Sequence, residues 1–252
     1  MKRLLSILLI AGILIFISCR QNIKNKNDLT RGKIVGKVKT LNMTKYFAII
    51  KYGEIQKGDI KEKRIDTFNE NGDCIEDDYY KSDGSIKKRI VFKHDDKGND
   101  IEKNTFKSNE SLESKIIYEY DDNGNNTMTY MYDSSGGLKA KIISIFDSQR
   151  NEIWQKFYHP NDSLKLEISN KYDNKGNIIE EDHYFHSSMY RKVTYKYDDK
   201  GNEIENDNNF IGRYDSIKTY KYVYDKIGNW IKKTEFIKDI PHIIAECKIE
   251  YE

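Results

Sequence analysis

The stretch Lys115–Asn125, which reads Lys-Ile-Ile-Tyr-Glu-Tyr-Asp-Asp-Asn-Gly-Asn, decides the fold. Ile116, Tyr118 and Tyr120 recur at every second position, which is the period of a strand with one buried face. The Asp-Asp-Asn-Gly that follows is turn chemistry, because an Asp side chain accepts nearby backbone hydrogen bonds and Gly tolerates a positive φ. The stretch therefore predicts a half-buried antiparallel strand that ends in a tight turn.

This strand-and-turn pattern recurs along the chain, and successive turn sites lie 25 to 27 residues apart. Six sites carry a glycine and one carries Arg150; the glycines are Gly72, Gly98, Gly124, Gly176, Gly201 and Gly228. Four residues before each site stands a ring, in the order Phe68, His94, Tyr120, Phe146, Tyr172, Tyr197 and Tyr224. A fixed period of this kind is stronger evidence for the fold than the pattern of any single segment. We predict an all-β antiparallel meander, a repeat array with two strands per unit, whose single layer curls on itself.

The second half of each unit poses a problem of phase. An isoleucine column lies three residues after most turn sites, as at Ile75 and Ile101, and a second aromatic follows five residues later, as at Tyr80 and Phe106. Residues five apart on a flat strand point to opposite faces of the sheet. Either a β-bulge corrects the phase, or both faces of the sheet are partly covered.

The pattern Tyr-x-Tyr-Asp-x-x-Gly-Asn-x-Ile resembles the YD repeat of RHS-type proteins, over roughly Ile60 to Tyr251. The resemblance implies strands that curl into a shell. The units here are longer than in RHS proteins, the usual Gly-Arg-Leu is missing and the chain stops on the repeat, so the toxin function of that family is not expected. The pattern is most similar to small YD-repeat lipoproteins of Bacteroidetes-type bacteria.

The N-terminus predicts export and lipidation. Met1–Arg3 is basic, Leu4–Ile17 is apolar, and Ser18 followed by Cys19 resembles a lipobox. We expect a lipoprotein signal peptide over 1–18 and a polar tether over 19–31. The repeat-like domain is expected over 32–252, with an N-terminal cap at 32–59 and the repeats at 60–252. Lipidation of Cys19 makes the membrane a partner and predicts a lipid-anchored place in the cell envelope, in the outer membrane on its periplasmic or surface face.

Composition excludes some classes of function. The 252 residues are 37% hydrophobic and 33% charged, and the formal net charge is only +2. The basic and acidic residues are interspersed, so the chain lacks the basic footprint of a nucleic-acid-binding protein, and no nucleic-acid partner is expected. Such a polar chain favours a thin, solvated β-layer.

Candidate reactive groups give weak signals. His183 and His186 lie three apart, which on a strand points them to opposite faces, so two surface histidines are expected rather than a metal site. Glu180–Asp182 is read as a solvated face, and Cys74 and Cys247 as small buried side chains. The Asp-rich turns lack the distant bidentate Glu of a Ca²⁺ loop. We therefore expect no catalytic residue, no metal and no cofactor, and hence no enzyme.

Two functions of different classes stay open. The favoured one is a non-catalytic protein-interaction or scaffold module, because repeat surfaces are extended and edge strands can pair with an envelope protein. The alternative is a module that binds glycan or cell wall through exposed aromatic residues. The ring columns also fit a structural role as cross-strand pairs, whereas Trp154 and Trp230 fall outside them.

Overall fold

The computed structural model describes residues 27–211 and 216–252. The predicted signal peptide, Cys19 and most of the predicted tether lie outside these ranges. The described chain forms one short helix and sixteen strands. In chain order these are α1 (Asp28–Arg31), β1 (Val38–Lys51), β2 (Glu54–Phe68), β3 (Cys74–Tyr80), β4 (Ile86–His94), β5 (Asp100–Lys107), β6 (Leu112–Tyr120), β7 (Asn126–Asp133), β8 (Leu138–Phe146), β9 (Glu152–Tyr158), β10 (Leu164–Tyr172), β11 (Ile178–Phe185), β12 (Ser188–Tyr197), β13 (Glu203–Phe210), β14 (Ser216–Tyr224), β15 (Trp230–Ile237) and β16 (Ile240–Tyr251).

The sixteen strands form one antiparallel sheet whose two ends meet. Strands that follow one another in the chain pair with one another, and β1 also pairs with β16, from Val38 opposite Tyr251 to Phe47 opposite Ile243. The predicted all-β antiparallel meander is confirmed. Its single layer, however, is closed into a barrel rather than curled as an open array, because the segment expected to be an N-terminal cap supplies the closing strand. Closure satisfies backbone groups that two open edges would leave unpaired.

One rim of the barrel carries the seven repeated turns. In the turn that opened the sequence analysis, the Gly124 N–H donates to the Asp121 carbonyl at 2.8 Å. The Asn125 N–H donates to Asp121 Oδ1, also at 2.8 Å. The six turn glycines have φ between 76° and 98°, and Arg150 adopts the same left-handed conformation at 69°. The period in the sequence is thus a period in turn geometry.

A β-bulge follows each repeated turn and resolves the problem of phase. Between β6 and β7, Glu119 lies opposite Met128 and Tyr120 opposite Asn126, so that Thr127 is the extra residue. Ile75 occupies the equivalent position after the first turn and is exposed. The bulged column therefore faces outward, while the ring column faces the lumen.

The outer wall of the barrel carries rows of ion pairs. Glu102 lies 2.7 Å from the ammonium groups of both Lys93 and Lys115. Lys171 lies 2.6 Å from Glu180. Lys93 and Lys171 are 60% and 65% exposed, so these pairs are hydrated and each contributes little to stability. The outer wall thus carries exposed, paired charges.

Residues 27–36, here called the plug, cover the rim that carries the repeated turns. Leu29 of α1 is buried, and its N–H donates to the Gly72 carbonyl at 3.1 Å. Further along, the Val35 N–H donates to Asn229 Oδ1 at 2.7 Å, and Asn229 Nδ2 donates back to the Val35 carbonyl at 2.9 Å. The residues just before 32, expected to be a tether, are thus folded against the barrel.

At the opposite rim, β1 and β2 extend beyond their neighbours. Pairing of β1 with β16 ends at Phe47, and pairing of β2 with β3 begins at Lys63. Residues 48–62, here called the arm, form a two-stranded ribbon whose outer edges pair with no other strand of the described chain. Ile50 and Tyr52 at its tip are 62% and 91% exposed.

Candidate functional site

The lumen is lined by polar side chains that the sequence analysis assigned to the surface. Glu181 and His183 of β11 are each only 6% exposed. The expectation of a solvated acidic face is therefore wrong for Glu181, and the expectation of a surface histidine is wrong for His183. Both residues lie on the face that turns into the closed barrel, where polar side chains can be buried among one another. His186 is exposed in the β11–β12 turn, so the two histidines do not converge.

Two cavities occupy the lumen, and the net formal charges of their linings have opposite sign. The first, here called the acid cavity, has a volume of about 350 Å³ and is lined by five carboxylates (Asp28, Asp66, Asp77, Asp100, Glu152) and two cations (Arg64, Lys103). The second, here called the basic cavity, has about 530 Å³ and is lined by five cations (Arg31, Lys33, Arg191, Lys218, Lys233) and two carboxylates (Glu181, Glu203). Trp230 lines both cavities.

A buried charge network lies at the centre of the acid cavity. Arg64 Nε lies 2.6 Å from Asp66 Oδ1, and Arg64 Nη1 lies 3.2 Å from the Tyr79 hydroxyl. Burial raises the pKa of Asp66 to about 8; the charge of Arg64 opposes that rise, and the neighbouring carboxyl of Asp77 adds to it. At neutral pH the Asp66 carboxyl therefore favours its protonated form.

The two described cysteines are free, buried thiols, as the sequence analysis expected. Cys74 Sγ lies 3.1 Å from Asp77 Oδ1 as a hydrogen-bond donor. Burial raises the pKa of the Cys74 thiol far above its ordinary value, and the charge of Asp77 raises it further. Burial also raises the pKa of Cys247 to about 11. Neither thiol is a thiolate at neutral pH, so neither has the reactivity of a nucleophile.

The basic cavity has fixed cations. Arg191 Nε donates to Asn208 Oδ1 at 2.8 Å. Lys218 Nζ lies 3.2 Å from Glu235 Oε2, and His242 Nδ1 lies 2.8 Å from Glu235 Oε1. Burial acts to raise the pKa of Glu235, but the hydrogen bond of His242 and the charge of Lys218 outweigh it and lower that pKa. The carboxylate thus stays ionised beside the cavity and orients Lys218.

Tyrosines supply the other walls of the basic cavity. The Tyr222 hydroxyl donates to the Glu203 carbonyl at 2.8 Å, and Asn206 Nδ2 donates to the Tyr220 hydroxyl at 2.8 Å. The Lys233 ammonium lies 3.8 Å from the centroid of the Tyr220 ring, a cation–π contact. Burial raises the pKa of Tyr220 and Tyr222 well above the ordinary value. The phenols are therefore neutral and keep their hydrogen-bonding protons.

The plug forms one end of the basic cavity. Thr30, Arg31 and Lys33 lie on its boundary. Lys33 Nζ donates to the Gly201 carbonyl and lies 3.4 Å from Asn177 Oδ1. Both partners belong to repeated turns. The turns therefore hold the plug in addition to connecting the strands.

The ring column in the sequence indicates which strand positions face the lumen. Residues at even distances before a column ring share its face of the strand. Arg191 stands six residues before Tyr197, and Lys218 six before Tyr224, and the even positions between each of them and its ring are Tyr or Val. Neither residue was among the candidates named from the sequence.

The chain matches no protein-family model, and no curated protein matches its sequence. Among solved structures, it is similar to a porin-like protein from Bacteroides uniformis, with a TM-score of 0.56 at 8% identity, over 84% of this chain and 96% of that one. Chains of the Photorhabdus luminescens Tc holotoxin pore and of a TcdB2–TccC3–Cdc42 complex align at 12% identity with TM-scores of 0.32 and 0.31. These alignments cover 77% and 80% of this chain but only 14% and 11% of the toxin chains.

The likeness to the porin-like protein concerns the fold, because 8% identity carries no residue-level information. Within the described part of the chain, no helix is long and apolar enough to cross a membrane.

Proposed function

We propose that this protein is a non-catalytic, lipid-anchored binding protein of the bacterial cell envelope, related to the YD-repeat lipoproteins. In this proposal its basic cavity binds a small anionic molecule rich in hydroxyl groups, such as an acidic sugar of an envelope glycan. The observation that carries the proposal is the basic cavity itself. Its lining has more cations than carboxylates, and it also includes neutral tyrosines.

The size and lining of the basic cavity suit such a ligand. Its volume of about 530 Å³ lies within the range of small-molecule sites, roughly 300–1,000 Å³. Arg191, Lys218 and Lys233 can pair with a carboxylate or another acidic group. Tyrosine hydroxyls and the amides of Asn206 and Asn208 can both donate and accept, as hydroxyl groups require. The glycan alternative is thereby moved from exposed rings to rings in the lumen.

The lipid on Cys19 supplies the membrane attachment in this proposal. Hydrated ion pairs on the outer wall support it, because a charged wall is stable in water rather than in a hydrocarbon layer. Anchoring by acyl chains leaves the barrel in water. Radiolabelled palmitate incorporated by the wild-type chain but not by Cys19→Ala is the expected result, and equal labelling of both would remove the anchor.

The two tryptophans give a direct test of the basic cavity. Trp230 lines the lumen, whereas Trp154 lies beside Tyr184, opposite the exposed residue Ile145. In the Trp154→Phe variant all tryptophan fluorescence comes from Trp230. We expect its emission to change on titration with glucuronate or tri-galacturonate, with matching heat by calorimetry, and to change far less with neutral maltotriose.

Charge variants complete this test. Arg191→Gln is expected to weaken binding of the acidic sugar about tenfold or more, since a lost charge-assisted hydrogen bond is worth roughly 1.5–3 kcal/mol. Lys171→Gln removes a similar charge from the outer wall and is expected to leave binding unchanged. Absence of binding by any acidic sugar, or an equal loss in both variants, would remove the basic cavity as a ligand site.

The arm supports a second candidate, the protein-interaction function. Its two outer edges offer backbone groups for a strand of an envelope protein, and Ile50, Tyr52 and Ile55 offer exposed apolar contacts. The barrel body, by contrast, has no open edge. The function therefore rests on residues 48–62 rather than on the repeats.

A photo-crosslinker at position 52 tests the arm in intact cells, with the same probe at position 158 on the barrel wall as control. One envelope protein should crosslink from the arm only. The purified partner should bind the wild-type chain but not Ile55→Pro, which removes an edge donor. Crosslinking without binding by the purified partner would contradict the proposal.

A further inference from the structure

One group of side chains beside the acid cavity, two of which line it, has the composition of a metal site. Asp28, His94 and Asp100 each offer a ligand atom, and these atoms lie within 4.8 Å of one another. His94 Nε2 lies 2.8 Å from Asp100 Oδ1 and 3.9 Å from Asp28 Oδ2. The three side chains are between 4% and 10% exposed. We propose that these residues bind one divalent transition-metal ion, for which Zn²⁺ is the probe.

The sequence departs from its own repeat at this place. His94 occupies the ring column, where the other six units carry only Phe or Tyr. Asp100 stands two residues after Gly98, where the units on either side carry Cys74 and Asn126. An imidazole and a carboxylate thus face each other in one unit only. A ring that only packs needs no nitrogen atom, whereas an imidazole can coordinate a metal ion through one of its nitrogens.

The distances fit a site that closes around an ion. Ligand atoms about 2.0–2.2 Å from a tetrahedral Zn²⁺ lie roughly 3.3 Å apart. The separation of His94 Nε2 from Asp100 Oδ1, 2.8 Å, is shorter than this, and its separation from Asp28 Oδ2, 3.9 Å, is longer. Shifts below 1 Å bring both separations to the value that a bound ion requires.

Neighbouring groups already orient the Asp28 carboxylate. Arg31 Nη2 donates to Asp28 Oδ1 at 2.8 Å, and the Cys74 N–H donates to Asp28 Oδ2 at 2.8 Å. The Tyr120 hydroxyl donates to the backbone carbonyl of Asp100 at 2.7 Å and so holds the backbone of that residue. Such outer contacts are typical of metal sites, where they hold the ligands in place. The excess of carboxylates around the acid cavity adds a favourable field for a cation.

The site joins two parts of the molecule. Asp28 belongs to the plug, whereas His94 and Asp100 flank a repeated turn of the barrel, so a bound ion fastens the plug to the rim. Three protein ligands also leave a fourth position for water, facing the acid cavity. This inference is independent of ligand binding in the basic cavity.

Titration of the metal-stripped protein with Zn²⁺ and with Co²⁺ tests the proposal. We expect one ion per chain, a rise in melting temperature, and visible Co²⁺ absorption typical of a four-coordinate site. His94→Phe restores the ring of the other units and is expected to weaken affinity about 100-fold or more, since even outer-shell changes cost 10–100-fold. His242→Gln removes a histidine paired with Glu235 and should retain the site.

Asp28→Asn provides a second variant if His94→Phe fails to fold, because Asp28 lies on the plug outside the barrel wall. Its affinity is expected to fall by a similar factor. A wild-type chain without stoichiometric Zn²⁺, or equal affinity in the wild type, His94→Phe and Asp28→Asn, would overturn the proposal.

Discussion

The acid and basic cavities differ in sign although the same repeat builds both. The acid cavity draws its charged residues mainly from β2, β3, β5 and β9, and the basic cavity from β11 to β15. In both halves the strand pairing and the turns are alike, and the plug closes the same rim. The repeat thus fixes where a side chain points, while the residue at each inward position fixes the chemistry. One scaffold can therefore hold two cavities of opposite sign without a change in backbone.

The largest expected effect comes from removing the one strong cation at the centre of the acid cavity. Arg64→Leu removes one partner of the buried Arg64–Asp66 contact, and such a loss typically costs 3–5 kcal/mol. Arg89→Leu is the matched control, because Arg89 pairs with Asp78 at 2.8 Å but is 38% exposed. We expect its cost to be below about 1 kcal/mol. Urea unfolding at pH 7 measures both, and similar losses would mean that the acid cavity is as hydrated as the outer wall.

The two halves are also expected to respond to pH in opposite directions. The raised pKa of Asp66, about 8, exceeds its unfolded value, about 3.9, so its contribution to stability is present below about pH 4 and lost as pH rises through 8. The pKa of Glu235 is lowered, so its contribution is present above about pH 4.3 and lost as pH falls.

Unfolding at several pH values separates these two groups. Asp66→Asn should flatten the fall in stability between pH 5 and pH 8, by no more than about 1.4 kcal/mol per pH unit, which is the slope that one proton gives. Glu235→Gln should leave the stability in that range unchanged and should reduce the further loss of stability below about pH 4. If Asp66→Asn did not alter the slope, folding would not raise the pKa of Asp66.

Strands and turns could be predicted from the sequence because their causes are local. Alternation, an Asp that accepts backbone hydrogen bonds and a glycine with positive φ all act within ten residues, as in Lys115–Asn125. Closure could not be predicted, because it depends on pairing between Val38–Phe47 and Ile243–Tyr251, about 200 residues apart. Neither segment carries a local mark of its partner.

The candidate site was missed for a related physical reason. A charged residue on a strand faces water when one face of a sheet is solvated, and Glu181 was assigned accordingly. In a closed barrel of sixteen strands the inside is too wide for an apolar core, so polar residues line it. The inward position of these residues follows only after closure is known. Cys19, the predicted lipidation site, stays a prediction.

The smallest expected effect concerns the boundary between the two halves, where Arg150 replaces the turn glycine between β8 and β9. Gly124→Val forces a β-branched residue to a φ near 78° and should cost about 1–2 kcal/mol. A Cβ there would meet only Arg150 Nη2, at 3.8 Å, so the cost is backbone strain rather than a clash. Gly136→Val on the opposite rim, with φ 82° and open space, should cost the same.

Arg150→Gly is the reverse change at the boundary. It relieves strain at φ 69°, but a glycine also loses more conformational entropy on folding, roughly 0.5–1 kcal/mol. The net gain is therefore expected to be below about 1 kcal/mol, and thermal unfolding of the single variants measures it. A loss on Arg150→Gly as large as that of Gly124→Val would show that the guanidinium, near Asp121, stabilises the boundary more than the backbone strains it. The boundary between the two halves would then be stabilised by the Arg150 side chain rather than by the backbone of the turn.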